Sequence, residues 1–301
     1  MLKESQFEVL VYIESHPDEK IAQRALAKTL DLSVGTVNRV IHELLDAHWI
    51  VEKADRTYIL SEAGYAVLAP YRVKRAIFFA AGFGSRLVPV TLNTPKPLVR
   101  VHGKQMIETL LDAIVAAGIK EIYIVRGYLK EQFDLLLPRY PMLRFLDNPL
   151  YNESNNISSA YYARDLFASS YVLEADLVLS NPQLIRKYEY HTNYLGIKKE
   201  RSDDWSFLTK GRRIEKVCVG ALDCYQMVGI SYWSEADGQR MTKDIENVFL
   251  SPGGKEKYWD MVALDACRSH YQIYVRPCEA TDIIEVDTFK ELQILDASYQ
   301  L

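Results

Sequence analysis

Between Ala76 and Val101 the chain reads AIFFAAGFGSRLVPVTLNTPKPLVRV, and two cations there, Arg86 and Lys96, follow the glycines Gly82 and Gly84. Glycines at these positions permit positive φ and remove the Cβ atoms that would hold a phosphate or a base away from backbone N–H groups. Arg86 and Lys96 supply the charge that phosphate oxygens need. Pro95 and Pro97 bracket Lys96 and restrict the backbone around it. The pattern reads as a grip for a nucleoside triphosphate. It is not a P-loop, because no Gly-Lys-Ser/Thr follows at the required spacing. It is a poor dinucleotide fingerprint, because Leu87 stands where the third glycine belongs.

Other chemistry-bearing residues lie further along. The apolar run Tyr171-Val172-Leu173 ends in Glu174-Ala175-Asp176, and residues two apart on a strand share a face, so both carboxylates can converge on one cation. The loop from Asn148 to Ser159 is dense in amides and hydroxyls, which on composition alone reads as a capped turn before a helix around Ala160 to Phe167. Three of the four tryptophans, Trp205, Trp233 and Trp259, lie between residues 203 and 260. Aromatic residues are most often core, and Tyr232 with Trp233 fits a strand. Trp205, however, follows two aspartates, and Tyr258-Trp259-Asp260 follows the turn Ser251-Pro252-Gly253-Gly254. Ring faces combined with carboxylates can hold a quaternary ammonium, at ~0.5–2 kcal/mol per cation–π contact.

These residues need a frame. The run Ala76 to Phe79 lacks polar alternation, as in a strand buried on both faces. After it come a helical pattern over Ile107 to Gly118, a strand over Glu121 to Val125, a helical pattern over Lys130 to Leu137 and a strand over Leu143 to Leu146. Such alternation predicts an α/β, doubly wound, mostly parallel sheet of Rossmann-like type, with ligands beyond the carboxyl ends of the strands, where the glycine loop falls.

Ahead of this lies a different pattern. Helical periodicity over residues 5 to 15 stops at His16-Pro17-Asp18, a second helix fits Ile21 to Leu30, and Ser33 is a good N-cap for a third that runs to about Ala47. Trp49 to Glu52 and Tyr58 to Leu60 flank a polar tip, and Ser61 to Tyr71 reads as a short helix. The organisation resembles a winged helix-turn-helix. With 301 residues, the chain is expected to hold two domains, 1–70 and 71–301. Residues 1–70 carry seven Lys/Arg against eleven Asp/Glu, and the third helix offers only Arg39 beside Ser33, Thr36 and Asn38, with Lys53 and Arg56 at the wing tip. DNA binding therefore stands level with a role in homodimer formation or packing.

The composition, 49% hydrophobic and 25% charged, is that of an ordinary globular protein. No signal peptide or bilayer-spanning run is present, and Cys218, Cys224, Cys267 and Cys278 show no Cys-x-x-Cys pair. Cytoplasmic localisation, no membrane partner and free thiols without a zinc site are the expectations.

The string Gly82 to Leu87 followed by Pro95 to Leu98 resembles the signature of the sugar-phosphate and choline-phosphate nucleotidyltransferases. The resemblance implies that Ala80, Ala81, Gly82, Gly84 and Ser85 hold the nucleotide, and that Arg86 and Lys96 meet its phosphates during catalysis. It implies base or substrate contacts for Asn156 and Ser158, and Mg²⁺ ligation by Asp176. That aspartate closes a Glu-Ala-Asp where the family has Asp-Ala-Asp. Asp287, in Glu285-Val286-Asp287, matches the late strand of the family and is the second expected ligand. Asp203-Asp204-Trp205, Gly229 to Trp233 and Tyr258-Trp259-Asp260 narrow the resemblance to bacterial CTP:phosphocholine cytidylyltransferases, over roughly Lys74 to Leu295. The head group would then meet Trp205, Tyr232, Tyr258, Trp259 and Asp260. The implied reaction joins CTP to phosphocholine, giving CDP-choline and pyrophosphate. Asp203-Asp204 in place of Asn-Glu keeps phosphoethanolamine or 2-aminoethylphosphonate open as the acceptor. A sugar-1-phosphate nucleotidyltransferase and a regulator that senses a nucleotide through an enzyme-like domain are the rival readings.

Overall fold

Phe7, Leu10 and Ile13 are buried along one face of α1 (Glu4–Ser15), and with α2 (Gln23–Thr29) and α3 (Val34–Asp46) they close a small core through Leu26, Val37, Val40 and Leu44. The computed structural model describes residues 2–17, 20–55 and 57–300 of the chain, which divides into the units Met1–Arg72 and Val73–Leu301. Asp18, in the expected first stop signal, and Arg56, at the expected wing tip, lie outside the described residues.

In the first unit the Ser33 hydroxyl accepts from the Thr36 amide at 3.0 Å, so α3 starts at the expected cap. Strands β1 (Ile50–Glu52) and β2 (Tyr58–Leu60) pair antiparallel as the wing, and α4 (Glu62–Leu68) follows, capped by Ser61. Asn38, Arg39 and His42 form the exposed face of α3.

The second unit is built on β3 (Arg75–Ala80), which has the central position that its unbroken apolar run demands. Ala76, Phe78 and Ala80 face one cluster with Ile107, Leu110 and Ile114. Ile77 and Phe79 face another with Ile157, Ala160, Met241 and Ile245. After a small hairpin, β4 (Arg100–Val101) and β5 (Lys104–Gln105), come α5 (Met106–Ala116), β6 (Glu121–Arg126) and β7 (Leu143–Asp147). Lys130–Leu136, expected to be α-helical, instead forms 3-10 turns.

Next come α6 (Ile157–Ala163), β8 (Ser170–Glu174), β9 (Leu177–Leu179), and two long strands, β10 (Asn193–Lys210) and β11 (Arg213–Trp233). The chain continues through α7 (Glu235–Leu250), β12 (Tyr274–Cys278), β13 (Ile283–Glu285) and α8 (Phe289–Leu295). The sheet order is β10-β12-β11-β8-β3-β6-β7. β3 runs parallel to β6 and β8, β6 to β7 and β10 to β12, whereas β11 is antiparallel to β8 and β10. A separate ladder, β9 against β13, pairs Leu177 with Glu285 and Leu179 with Ile283. No helix among the described residues is long and apolar enough to cross a membrane.

Candidate active site

Where β3 ends, the chain turns into the glycine loop. Gly84 has φ +62°, and a Cβ there would lie 2.8 Å from Lys96 Cβ and 3.2 Å from Thr91 Cγ2. Its role is thus a left-handed turn pressed onto the lysine stem, with the Thr91 hydroxyl donating to its carbonyl at 2.8 Å. Gly82 does not adopt positive φ; a Cβ there meets nothing within 4 Å, so this glycine leaves open space. Leu87, where a dinucleotide loop would have glycine, is fully buried with Val99, Met106 and Val286 and anchors the loop.

Lys96 is almost buried, and its Nζ lies 2.6 Å from Asp176 Oδ2 and 3.1 Å from Asp287 Oδ1. Burial alone would lower the lysine pKa, but the two carboxylates outweigh it and raise the value. Arg86 reaches the same Asp287 oxygen at 2.7 Å from an exposed position. Phe79, Ala80, Gly82, Phe83, Ser85 and Asn155 complete the wall of a cleft of about 430 Å³ above these charges.

The β9–β13 ladder brings the acidic groups together, since it starts at Leu177, beside Asp176, and ends at Glu285, two residues before Asp287. Glu174, Asp176 and Glu285 place carboxylate oxygens within 4.8 Å of one another. Burial, then the charge of Asp176 and Asp260, holds the Glu174 carboxyl well above its usual range. Burial, then Asp176 and Asp287, pushes that of Glu285 up to about 8 although its side chain reaches solvent. Glu174 lies over Gly229, where a Cβ would come 2.9 Å from its Cβ and Cγ.

Asp176 Oδ1 is buried without a hydrogen-bond partner. An orphaned carboxylate oxygen among further carboxylates, with no sulfur or imidazole in the group, fits a hard divalent cation. Lys96 Nζ, between Asp176 and Asp287, provides positive charge in the same place.

Other expected contacts are distributed differently. The Asn156 side chain accepts from the Trp259 amide at 2.9 Å, and Ser158 is buried, bonded to Asn148 and to the Asn155 carbonyl. Asn156 thus fastens the loop to the segment around 259 and Ser158 braces the loop internally, while the neighbouring Asn155 lines the cleft. Tyr232 is 1% exposed and packs on Tyr171 in the core, and Trp259 is 2% exposed among Phe79, Phe167 and Tyr194. Neither presents a free ring face. Asp260 is buried and accepts from the Tyr194 hydroxyl at 2.8 Å; burial pushes its carboxyl up to about 7. Of the expected aromatic cage, Trp205 and Tyr258 are accessible, edge to face with centroids 6.1 Å apart. At the cleft mouth, Phe83 packs against Tyr128 and Tyr151, a cluster that the sequence reading did not pick out.

Two family models match the chain, one for nucleotidyl transferases over residues 75–209 and one for the MarR family over residues 2–57. A 2-aminoethylphosphonate cytidylyltransferase of Lancefieldella rimae is 38% identical over 231 residues, which cover 74% of this chain and 92% of the relative. A choline-phosphate cytidylyltransferase of Streptococcus pneumoniae is 31% identical over 74% of this chain and 96% of its own. The solved CTP:phosphocholine cytidylyltransferase of Streptococcus pneumoniae superposes with a TM-score of 0.70 at 31% identity, over 76% of this chain and all of that one.

Proposed function

Because this chain belongs to the nucleotidyl transferase family, among its cytidylyltransferases, we propose that it transfers CMP from CTP to 2-aminoethylphosphonate and releases pyrophosphate. The observation that carries the choice of acceptor is the balance of carboxylates and ring faces. Asp203 and Asp204 stand exposed immediately before Trp205, and of the expected cage only Trp205 and Tyr258 offer accessible aromatic surface. A primary ammonium donates three hydrogen bonds to such acceptors; a quaternary ammonium donates none.

A phosphonate oxygen attacks the α phosphorus in line, the bond to the α–β bridging oxygen breaks, and that oxygen leaves with pyrophosphate. No side-chain nucleophile takes part, so positioning and charge carry the catalysis. Arg86 and Lys96 offset the charge that builds on pyrophosphate, and the loop from Ala80 to Ser85 holds the nucleotide. A Mg²⁺ held by Asp176 and Asp287, with Glu285 beside Asp176, would supply further charge neutralisation at the phosphates.

Phosphocholine is the second reading, favoured by the Trp205–Tyr258 pair. Pyrophosphate release from CTP with 2-aminoethylphosphonate, phosphoethanolamine, phosphocholine and hexose 1-phosphates separates the acceptors. A kcat/KM for 2-aminoethylphosphonate at least about tenfold above that for phosphocholine is expected; a preference for phosphocholine assigns the second reading. We also infer that the MarR-type domain binds duplex DNA through the exposed face of α3, with Ser33, Asn38 and Arg39 toward the groove.

A further inference from the structure

On the second unit, α7 and the turns after residue 260 bring together three donors of different type. Asp244 belongs to α7, Cys267 follows a π-turn over Val262–Ala266, and His270 closes a 3-10 turn over Arg268–His270. Their candidate ligand atoms all lie within 4.8 Å of one another. Ligands of one tetrahedral zinc, each ~2.0–2.3 Å from the ion, are about 3–4 Å apart. A contraction of about 1 Å closes the set, and the exposed His270 and half-buried Cys267 have alternative rotamers through which to make it.

We propose that Asp244, Cys267 and His270 form a binding site for a divalent cation of the zinc class, with three protein donors and a fourth position open to solvent. Asp244 supplies an independent reason. It is 7% exposed, yet its partners are the neutral Tyr271 hydroxyl at 2.6 Å and His270 Nδ1 at 2.7 Å, with no lysine or arginine paired to it among the described residues. Both contacts fall on Oδ2, and Oδ1, which takes none among the described residues, is not closed off from solvent. Buried carboxylates are ordinarily paired with a cation or a metal. The Cys267 thiol, beside this carboxylate, likewise has no hydrogen-bond partner among the described residues.

The donors also select the ion. A thiolate, an imidazole and a carboxylate favour zinc-like ions over magnesium, whereas the cleft offers only oxygens. Tyr271, bonded to Asp244, packs edge-on to Trp233 at 5.9 Å, and Trp233 packs on Trp259. The ion would therefore fasten α7 to the turn that supports the aromatic layer before Asp260. In the sequence Cys267 and His270 are only three residues apart, but Asp244 lies 23 residues before Cys267 and joins them only through the fold.

The test uses the full chain, stripped of metal by a chelator and titrated with Co²⁺ under excess Mg²⁺ to occupy the carboxylate cleft. The expected result is a near-ultraviolet thiolate-to-metal charge-transfer band with the visible bands of four-coordinate Co²⁺, both bleached by Zn²⁺. Cys267→Ser, a small change at a half-buried position, should remove the near-ultraviolet band. Cys224→Ser should keep it, and His270→Ala should weaken Co²⁺ binding at least about tenfold. Circular dichroism identifies any variant that fails to fold. Absence of the thiolate band in the wild-type protein, or its persistence in folded Cys267→Ser, overturns the proposal.

Discussion

Lys96 is a buried ammonium that Asp176 and Asp287 hold charged against the pull of burial. The flanking prolines and the spacing from Gly84 mark it in the sequence, and Asp176 is marked by its place at a strand end. The approach of Glu285 to Asp176 was not legible, because it depends on a three-residue ladder between strands more than a hundred residues apart. Lys96→Ala and Asp176→Asn are each expected to cut pyrophosphate release at least about 10²-fold. Circular dichroism spectra should remain unchanged. Asp260 gives a pH prediction. Burial raises its carboxyl from 3.8 to about 7, so between those values the folded protein holds a proton that the unfolded chain has lost. Stability therefore falls as pH rises through that window. Asp260→Asn should shrink the drop in Tm between pH 5 and pH 8, measured by calorimetry.

Among the elements, strands with uniform apolar runs were the most legible: β3 and β6 lie where the sequence places them because burial on both faces leaves no polar alternation. The long pair β10 and β11 left no such mark. Its register shifts at several points and its exposed stretch mixes Val219 and Leu222 with charges, so no single period survives. Sequence chemistry marked both loop glycines, but not their different tasks. Gly84→Ala places a side chain in a left-handed conformation against Lys96, at about 1–2 kcal/mol for the backbone alone. It should lower Tm as well as turnover. Gly82→Ala should leave Tm nearly unchanged and raise KM for CTP, since its Cβ enters the open cleft. Thermal melts with CTP kinetics on both variants check the pair.

For the molecule as a whole, the division into two units was signalled by the change from a helical pattern to strand-helix alternation, whereas the use of the first unit was not, because a winged helix does not by itself specify a ligand. The solved pneumococcal relative is matched in full by about three quarters of this chain. Residues 73–301 expressed alone are therefore expected to keep kcat/KM within about threefold of the full chain, as a folding unit with its own core should. The full chain should bind DNA with a shallow salt dependence, a log–log slope no steeper than about −3, because α3 carries one arginine and residues 1–70 are net acidic. Fluorescence anisotropy over a salt series measures it. Across the binding cycle, the ammonium between Asp176 and Asp287 has a reciprocal effect. A cation that took those carboxylates would free Lys96 for phosphate, and a triphosphate that drew Lys96 away would bare the carboxylates for a cation. Each arrival would favour the other to the same extent, which would make the cleft a coincidence detector, expected to bind Mg²⁺ and CTP together more tightly than either alone.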